Sequence, residues 1–218
     1  MYAKYIKRLL DFLLSLCGLL VLGIPMLILM LLVFLDMGSP VIFVQERIGK
    51  DEKPFSLYKL RSMKTAFDQY GVPLPDCQRI TPLGRVIRSC SLDELPSLVN
   101  ILKGDMSIVG PRPLPSNYLP WFKEEERIRH AVRGGLTGLA QIHGRNTASW
   151  EKRFRYDAEY VKKISFLGDV KIIAKTVGLV LKRSDIGVRG EDTPVDFHVY
   201  RSGLSERELL ELENAKER

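Results

Sequence analysis

The chain has 218 residues, of which 45% are hydrophobic, so it is long enough for one folded domain with a small appendage and too apolar for a disordered protein. Its formal net charge of +7 favours phosphate-rich partners, such as anionic lipid, nucleotide or nucleic acid, without choosing among them. The three cysteines form no CxxC pair and lack metal-ligand spacing with the three histidines, which argues against a disulfide framework and a zinc site.

The first predicted element is an uncharged apolar segment at residues 12–35, bracketed by Asp11 and Asp36. As a straight helix its roughly 24 residues would extend about 36 Å, which exceeds a hydrocarbon core of about 30 Å. The segment is too long for the apolar part of a cleaved signal peptide. We therefore predict that it enters a membrane.

Pro25 lies near the middle of this segment, where a proline bends or breaks a helix. Basic residues flank the segment on both sides: Lys4, Lys7, Arg8, then Arg47, Lys50, Lys53, Lys59, Arg61 and Lys64. The positive-inside rule places both flanks in the cytoplasm, which a helix that breaks at Pro25 and returns to its own side satisfies and a single crossing does not. On these residues alone, the re-entrant hairpin and the spanning helix both remain open.

The residues after the apolar segment predict a mixed α+β domain. Its first elements are short strands at residues 41–44 and 55–58, a loop at 68–82, and helices at 83–87 and 95–102. The turn at 49–54 joins the two strands into a small β-hairpin. Gly104 provides a stop signal for the second helix.

Asp93 and Glu94 are adjacent carboxylates, and the turn Gly110-Pro111-Arg112-Pro113 follows them closely. Such a pair suits phosphoryl chemistry, in which one oxygen attacks a phosphorus atom while another holds a divalent cation. The alternative is a helix-opening capping box, with Ser91 as the N-cap and Glu94 at the third helical position. Pro96 argues against this alternative, because it would lie too far inside the helix.

Phosphate contacts in this chain have to come from side chains, because no GxGxxG motif follows a predicted strand and no GxxxxGK[ST] motif occurs. The candidates are Lys59, Arg61, Arg88, Arg112 and Arg145. Arginine is well suited to bidentate phosphate binding, although a single arginine is more often a solvated surface charge. The clustering around the carboxylate pair favours the functional interpretation.

Two further carboxylates, Asp157 and Asp169, fall on the apolar faces of helices predicted from the spacing of Trp150, Phe154, Val161, Phe166, Ile173, Val177 and Leu181. Carboxylates in such places need partners. Each either pairs with a core arginine, caps a helix or assists the active site, and the sequence leaves these alternatives open. Residues 184–218 predict a polar linker and an acidic helical appendage.

Several segments of the chain, taken in their order along the sequence, resemble the bacterial monotopic phosphoglycosyl transferases. The resemblance extends to about Arg183 and is carried by Lys7-Arg8, segments 58–63, 88–96 and 103–113, Thr137-Gly138, Gly144-Arg145-Asn146 and Asp157. It implies a mostly helical α+β fold. A re-entrant helix-break-helix at residues 1–36, with the break at Pro25, would precede a compact cytoplasmic catalytic domain at 37–183 that has amphipathic interfacial helices.

The resemblance also implies an activity at the cytoplasmic face of the bacterial inner membrane. The enzyme would transfer the phospho-sugar of a UDP-sugar to undecaprenyl phosphate, release UMP and initiate glycoconjugate assembly. Asp93 would be the nucleophile that forms an aspartyl phospho-sugar, and Glu94 would be the ligand of Mg²⁺. Arg88, Arg112 and Arg145 would contact phosphate or substrate, with Pro111, Asp157 and Asp169 in support.

The short chain resembles family members that use UDP-N,N′-diacetylbacillosamine or a UDP-N-acetylhexosamine. It departs from the family pattern at Ile24, where members often have serine before the proline, and at 133–139, where a proline and an aromatic residue are missing. The competing hypothesis is a non-enzymatic membrane-anchored protein whose basic surface binds anionic lipid or nucleic acid. The transferase hypothesis expects membrane lipid as a partner and no nucleic acid.

Overall fold

A computed structural model describes residues 1–71, 74–144, 148–182 and 196–203. The helices are α1 (Lys7–Met37), α2 (Asp76–Arg79), α3 (Pro82–Ser89), α4 (Ser97–Lys103), α5 (Leu139–Ile142), α6 (Trp150–Lys162), α7 (Phe166–Lys182) and α8 (Phe197–Ser202). The strands are β1 (Ile42–Ile48), β2 (Pro54–Leu60), β3 (Met106–Val109) and β4 (Gly134–Thr137). The described part of the chain is thus mostly helical with two small sheets, which confirms the predicted fold class.

Helix α1 is long and apolar enough to cross a membrane by length and composition. Apolar side chains near its middle, such as Leu20 and Ile24, are exposed. Pro25 lies inside the helix, which continues through it without a break, so the predicted division into two helices is not present here. Proline removes only one backbone donor, and the bonds on either side keep the helix together. The side of the membrane on which each end lies stays a prediction.

The first turns of α1 are fixed to the globular domain. Arg8 donates hydrogen bonds to two carbonyls at the end of α4, at 2.7 and 2.8 Å. Asp11, which is almost fully buried, accepts bonds from the Ser107 hydroxyl at 2.7 Å and from the Ile108 amide at 2.9 Å. The beginning of the helix is therefore held by charged groups that have specific partners in β3 and α4.

The far end of α1 also contacts the same domain. Asp36 accepts a hydrogen bond from the Thr81 hydroxyl at 2.6 Å, at the start of α3. Arg61 donates to the backbone carbonyls of Met37 and Ser39, both at 3.4 Å. At 31 residues the helix extends about 46 Å, and the domain contacts it at both ends.

The predicted hairpin is confirmed, with strands longer than expected. β1 and β2 pair antiparallel over their whole length, from Ile42 opposite Leu60 to Ile48 opposite Pro54. The helices around the carboxylate pair also agree with the sequence. Thr81 caps α3 by accepting a bond from the Gly84 amide, with Pro82 in the first turn.

A second sheet, which the sequence did not predict, pairs β3 with β4 in parallel. Two glycines allow the backbone at Gly135 to approach the backbone at Gly110 closely. A Cβ atom on Gly135 would lie 2.1 Å from the Gly110 nitrogen. The Gly135 amide donates to the Pro111 carbonyl at 2.8 Å. Each strand has only four residues, so neither shows a periodicity that distinguishes it from a loop.

Helix α7 is amphipathic. It exposes apolar side chains on one side, Phe166, Leu167, Val170 and Val177, while Asp169 and Ile172 are buried. An exposed apolar face beside an exposed apolar helix suits a membrane interface. Contact of this face with lipid, as in the predicted interfacial helices, remains a prediction.

The aromatic core of the domain includes part of the predicted appendage. Phe197 of α8 is 0% exposed and packs in a cluster with Tyr118, Phe122, Trp150 and Phe154. The linker and the acidic helix predicted at 184–218 lie largely outside the described residues. The described part, 196–203, is docked on the domain.

Candidate active site

The segments that carry the predicted site residues meet at a cleft of about 580 Å³. One part of it is charged, lined by Lys59, Asp93, Glu94, Arg112, Arg153 and Asp157. Another part is apolar, lined by Leu22, Leu98, Ile142, Ile173, Val177 and Val180. Leu22 belongs to helix α1, so the cleft connects a polar centre with the exposed apolar surface of that helix.

The carboxylate pair lies in a single 3₁₀ turn, Leu92–Glu94. Ser91, just before it, has φ +56° and makes no side-chain cap, and α4 begins only at Ser97 after Pro96. The capping-box alternative is therefore wrong, because a left-handed Ser91 does not aim its hydroxyl at the helix. A left-handed non-glycine residue costs roughly 1–2 kcal/mol, a strain that is common at functional sites.

Helix α4 sets the distance between the carboxylate turn and the hairpin. The Ser97 hydroxyl donates to the Tyr58 carbonyl at 2.8 Å, and the Asn100 side chain accepts from the Tyr58 amide at 3.1 Å. Ser97 and Asn100 are almost fully buried. These bonds place Lys59, the next residue of β2, beside the turn.

Glu94 is the centre of the charged cluster. Its Oε1 atom accepts hydrogen bonds from Lys59 Nζ and from Arg112 Nη2, each at 2.7 Å. Asp93 lies farther from the lysine, with 3.8 Å between Oδ2 and Nζ. Of the predicted phosphate ligands, the structure thus brings Lys59 and Arg112 directly to the two carboxylates.

The two carboxylates differ in basicity. Burial raises the pKa of Asp93, and the Lys59 ammonium offsets this only in part. Burial also opposes ionisation of Glu94, but the charges of Arg112 and Lys59 outweigh it and hold the pKa of Glu94 well below its usual range. Asp93 is the more basic carboxylate, the property expected of the member that reacts, while Glu94 stays anionic.

Arg112 is exposed but its backbone is fixed. The neighbouring Pro111 and Pro113 are buried, and the Arg112 carbonyl accepts a bond from Arg129 Nη2 at 2.6 Å. Arg129 in turn pairs with Asp157 at 3.0 Å. Asp157 therefore pairs with a core arginine, one of the alternatives left open, and it also lines the cleft.

The remaining predicted arginines divide into three cases. Arg88 lines the cleft and pairs with the buried Asp76 at 3.2 Å. Arg61 is not among the described residues that line the cleft, because its guanidinium is used on the carbonyls of Met63 and of the end of α1. Arg145 lies outside the described residues.

Asp169 contacts the start of helix α1 and the residues just before it. It accepts hydrogen bonds from Lys7 Nζ at 2.7 Å, the Tyr2 hydroxyl at 2.6 Å and the Tyr160 hydroxyl at 2.9 Å. It is not the N-cap of α7, since Ser165 accepts the bond from the Gly168 amide. Burial, together with the Asp169 charge, raises the pKa of Tyr160.

Two arginines in the cleft were not predicted from the sequence. Arg153 lies over the Trp150 ring, 4.6 Å from its centroid, and Arg129 is buried behind Arg112. The spacing of Trp150, Arg153 and Asp157 at three and four residues could have indicated Arg153. Arg129 lies in a 3₁₀ segment, Glu124–Ala131, whose sequence has no comparable signal.

The carboxylate turn has side chains of the kind that a magnesium ion would use as ligands. In the described parts of the chain no group of three His, Cys, Asp or Glu side chains forms a complete metal site. Mg²⁺ is commonly held by one or two carboxylates, with phosphate oxygens and water as the other ligands. Asp93 and Glu94 meet this requirement when a diphosphate supplies the remaining ligands.

A sequence model of the family described as bacterial sugar transferases matches residues 2–183. The chain belongs to this family. It is therefore an enzyme, as predicted, and the non-enzymatic alternative is set aside. The family match ends just before the segment that carries α8.

Three relatives of this sugar transferase illustrate the similarity. The uncharacterized sugar transferase EpsL of Bacillus subtilis is 49% identical over 176 residues, 81% of this chain and 87% of that protein. The undecaprenyl-phosphate galactose phosphotransferase of Salmonella typhimurium is 35% identical over 83% of this chain, and the UDP-glucose:undecaprenyl-phosphate glucose-1-phosphate transferase of Escherichia coli is 38% identical over 80%. The matches span only 41% and 40% of these two proteins.

Proposed function

We propose that this sugar transferase moves a sugar phosphate from a UDP-sugar to undecaprenyl phosphate at the cytoplasmic face of the bacterial inner membrane. The names of the Salmonella and Escherichia relatives support the class of acceptor. The observation that carries the proposal is the cleft, where the carboxylate turn and Arg112 meet apolar walls from α1 and α7. A phosphate group on a long apolar chain has this same division of polarity.

The first half-reaction uses the charged part of the cleft. An oxygen of Asp93 attacks the β-phosphorus of the UDP-sugar, and the bond from that phosphorus to the bridging oxygen breaks. UMP leaves with the electron pair, and an aspartyl phospho-sugar remains. Arg112 and Lys59 are placed to stabilise the charge on the phosphate oxygens.

The second half-reaction returns the enzyme to its starting state. A phosphate oxygen of undecaprenyl phosphate attacks the same phosphorus, and the bond to Asp93 breaks with the electron pair returning to the carboxylate. Glu94, with its depressed pKa, would hold Mg²⁺ together with the donor phosphates. When bound, this ion supplies positive charge that neutralises the diphosphate. Using one site in turn lets a soluble donor and a lipid acceptor react without meeting.

The re-entrant topology is part of the same proposal. Both ends of α1 contact one domain, through Arg8 and Asp11 at the beginning and Asp36 at the end. A helix whose two ends are attached to one domain would have both ends on the side of the membrane where that domain lies. Both basic flanks would then lie in the cytoplasm, as the positive-inside rule expects.

The test is release of UMP from a panel of UDP-sugars by the purified full chain, with and without undecaprenyl phosphate. We expect turnover that requires both substrates and Mg²⁺ for at least one sugar, and a single turnover at most without the acceptor. The panel also identifies the sugar, which the sequence left open. An active chain whose lipid product lacks a diphosphate linkage would contradict the proposal, as would an absence of UMP with every donor.

A further inference from the structure

Helix α8 packs behind one wall of the cleft, although it lies beyond the residues that match the family. Phe197 is fully buried, and its ring centroid lies 5.1 Å from those of both Trp150 and Phe154. Trp150 and Phe154 themselves line the cleft. Phe197 is thus the layer directly behind the aromatic wall of the site.

Two polar contacts hold α8 in this place. The Tyr200 hydroxyl donates to Glu151, which adjoins Trp150 in α6. Arg201 pairs with Glu126, and both side chains are largely buried. The helix is too short to be stable alone, so these contacts and the insertion of Phe197 account for its position.

The two aromatic side chains of this wall, Trp150 and Phe154, both belong to α6. The described members of the core cluster behind it include Ile48, Leu114 and Tyr118, and none of them belongs to α1 or α7. The apolar walls that suit a polyprenyl chain come from α1, α4 and α7. Trp150 and Phe154 are only 6% and 4% exposed, and Arg153, which also lines the cleft, lies over the Trp150 ring at 4.6 Å from its centroid. The guanidinium that this wall supports suits the phosphates and sugar hydroxyls of a nucleotide-sugar donor.

We propose that Phe197 is a positioning residue that fixes Trp150 and Phe154 and so determines which UDP-sugar the enzyme accepts. This inference rests on the proposed function for the identity of the donor. Removing the Phe197 ring leaves a void behind the wall, into which the two aromatic side chains can relax. The shape of the donor subsite changes, while the carboxylate turn and the acceptor walls keep their contacts.

The test compares Phe197→Ala and Phe197→Leu with Ile48→Ala in the full-length enzyme. Ile48 belongs to the same core cluster but does not line the cleft among the described residues, so its variant controls for lost stability. For each variant we would measure KM and kcat for several UDP-sugars, KM for undecaprenyl phosphate, the melting temperature, and the Kd of each UDP-sugar by calorimetry.

We expect Phe197→Ala to change the ratio of kcat/KM between the best and second-best sugars by about tenfold, the range available to an apolar pocket. Phe197→Leu should restore most of that ratio, and the acceptor KM should stay within about twofold in both variants. Ile48→Ala should lower the melting temperature and leave the ratio unchanged. An unchanged ratio in both Phe197 variants, or an equal change in Ile48→Ala, overturns the inference.

Failure of the proposed function has a different signature. If the wild-type chain binds UDP-sugars but releases no UMP, the transferase mechanism is excluded. The ratio of Kd between UDP-sugars, compared between wild type and the Phe197 variants, then decides the role of Phe197. A wild-type chain that binds no UDP-sugar overturns both. Should Phe197→Ala fail to fold, Phe197→Leu gives the same comparison with a smaller expected change.

Discussion

The roles proposed for Asp93 and Glu94 are supported by what each side chain contacts. Glu94 is committed to Lys59 and Arg112 at hydrogen-bond distance, whereas the nearest ion-pair partner of Asp93 lies 3.8 Å away. A carboxylate that is already paired is a poor nucleophile and a good structural anion. The raised pKa of Asp93, caused by burial, therefore supports Asp93 as the proposed nucleophile.

Replacing the proposed nucleophile, Asp93, tests this assignment. We expect Asp93→Asn to lower kcat by at least about 10³-fold, because an amide cannot form the aspartyl phospho-sugar. Mass spectrometry of wild-type enzyme incubated with UDP-sugar and Mg²⁺, without acceptor, should show one phospho-sugar adduct on Asp93. Glu94→Gln should retain the adduct but require more Mg²⁺. An adduct on Glu94 would reverse the two roles.

Arg112 differs from a surface arginine because its backbone is fixed by two prolines and by Arg129. Arg112→Lys should lower kcat/KM by about 10- to 100-fold, since an ammonium cannot reproduce the bidentate contact to a phosphate. Arg155→Lys is the matched control, because Arg155 is exposed on α6 and lies outside the cleft lining among the described residues. Equal rates for the two variants would make Arg112 a structural residue.

The site could be predicted from the sequence only where its residues are adjacent or clustered. Asp93, Glu94 and Arg112 were found in this way, together with Lys59 on the neighbouring strand. Arg61 was predicted by the same reasoning, yet the structure uses it to hold the end of α1. Arg129 was missed because its role depends on a contact with Asp157, 28 residues away, that no local pattern encodes.

At the scale of elements, α1 is attached by buried polar groups and not by apolar packing alone. Asp169 accepts three hydrogen bonds at this attachment, from Lys7 and from two tyrosine hydroxyls. The side chains of Lys7 and Asp169 are 13% and 5% exposed. Breaking a buried ion pair by removing one partner leaves a buried charge that nothing compensates.

Asp169→Ala should therefore destabilise the protein by about 3–5 kcal/mol. Glu159→Ala is the control on the preceding helix, because it removes an exposed pair with Lys163 and should cost less than about 1 kcal/mol. Thermal unfolding in detergent measures both. A small effect of Asp169→Ala would show that α1 does not depend on this anchor.

The topology of α1 can be tested with cysteines introduced at Lys4 and Lys50 in a variant without the native cysteines. We expect both positions to react with a membrane-impermeant reagent in inside-out vesicles and to be protected in sealed vesicles of the opposite orientation. The reason is that the two ends of α1 are fixed to one domain. Labelling from opposite sides would establish a spanning helix.

Elements with a strong local signal were predicted well. The hairpin and α3 appear where strand composition and capping residues place them, and α4 ends at Gly104, which has φ +97°. The family resemblance predicted a break at Pro25, whereas the structure has the continuous helix that the residues alone had left open as an alternative. The parallel sheet of β3 and β4 was missed because strands of four residues carry no measurable period.

At the scale of the whole molecule, one buried histidine links folding to pH. His130 is 5% exposed and faces Glu52, Arg127 and Arg129. Burial, reinforced by the charge of Arg129, lowers the pKa of His130 to about 4, and Glu52 offsets this only in part. The folded protein therefore holds this imidazole neutral, while the unfolded chain protonates it near pH 6.5.

As the pH falls from about 6.5 towards 4, the unfolded chain takes up a proton that the folded chain refuses, so the free energy of unfolding decreases. The loss should reach about 3 kcal/mol across this window and be absent above it. Denaturant unfolding at several pH values measures it. His130→Gln should flatten the dependence, whereas His143→Gln, at an exposed position, should leave it unchanged.

The attachment of α1 at both ends has a kinetic consequence. Because both ends of α1 are attached to the domain, the cleft of the proposed membrane enzyme would stay at a constant height while the protein diffuses along the bilayer. A lipid acceptor would then reach the carboxylate turn by lateral diffusion within the membrane. The rate of encounter would depend on the number of acceptor molecules per unit of membrane area, and not on their number per unit of cell volume.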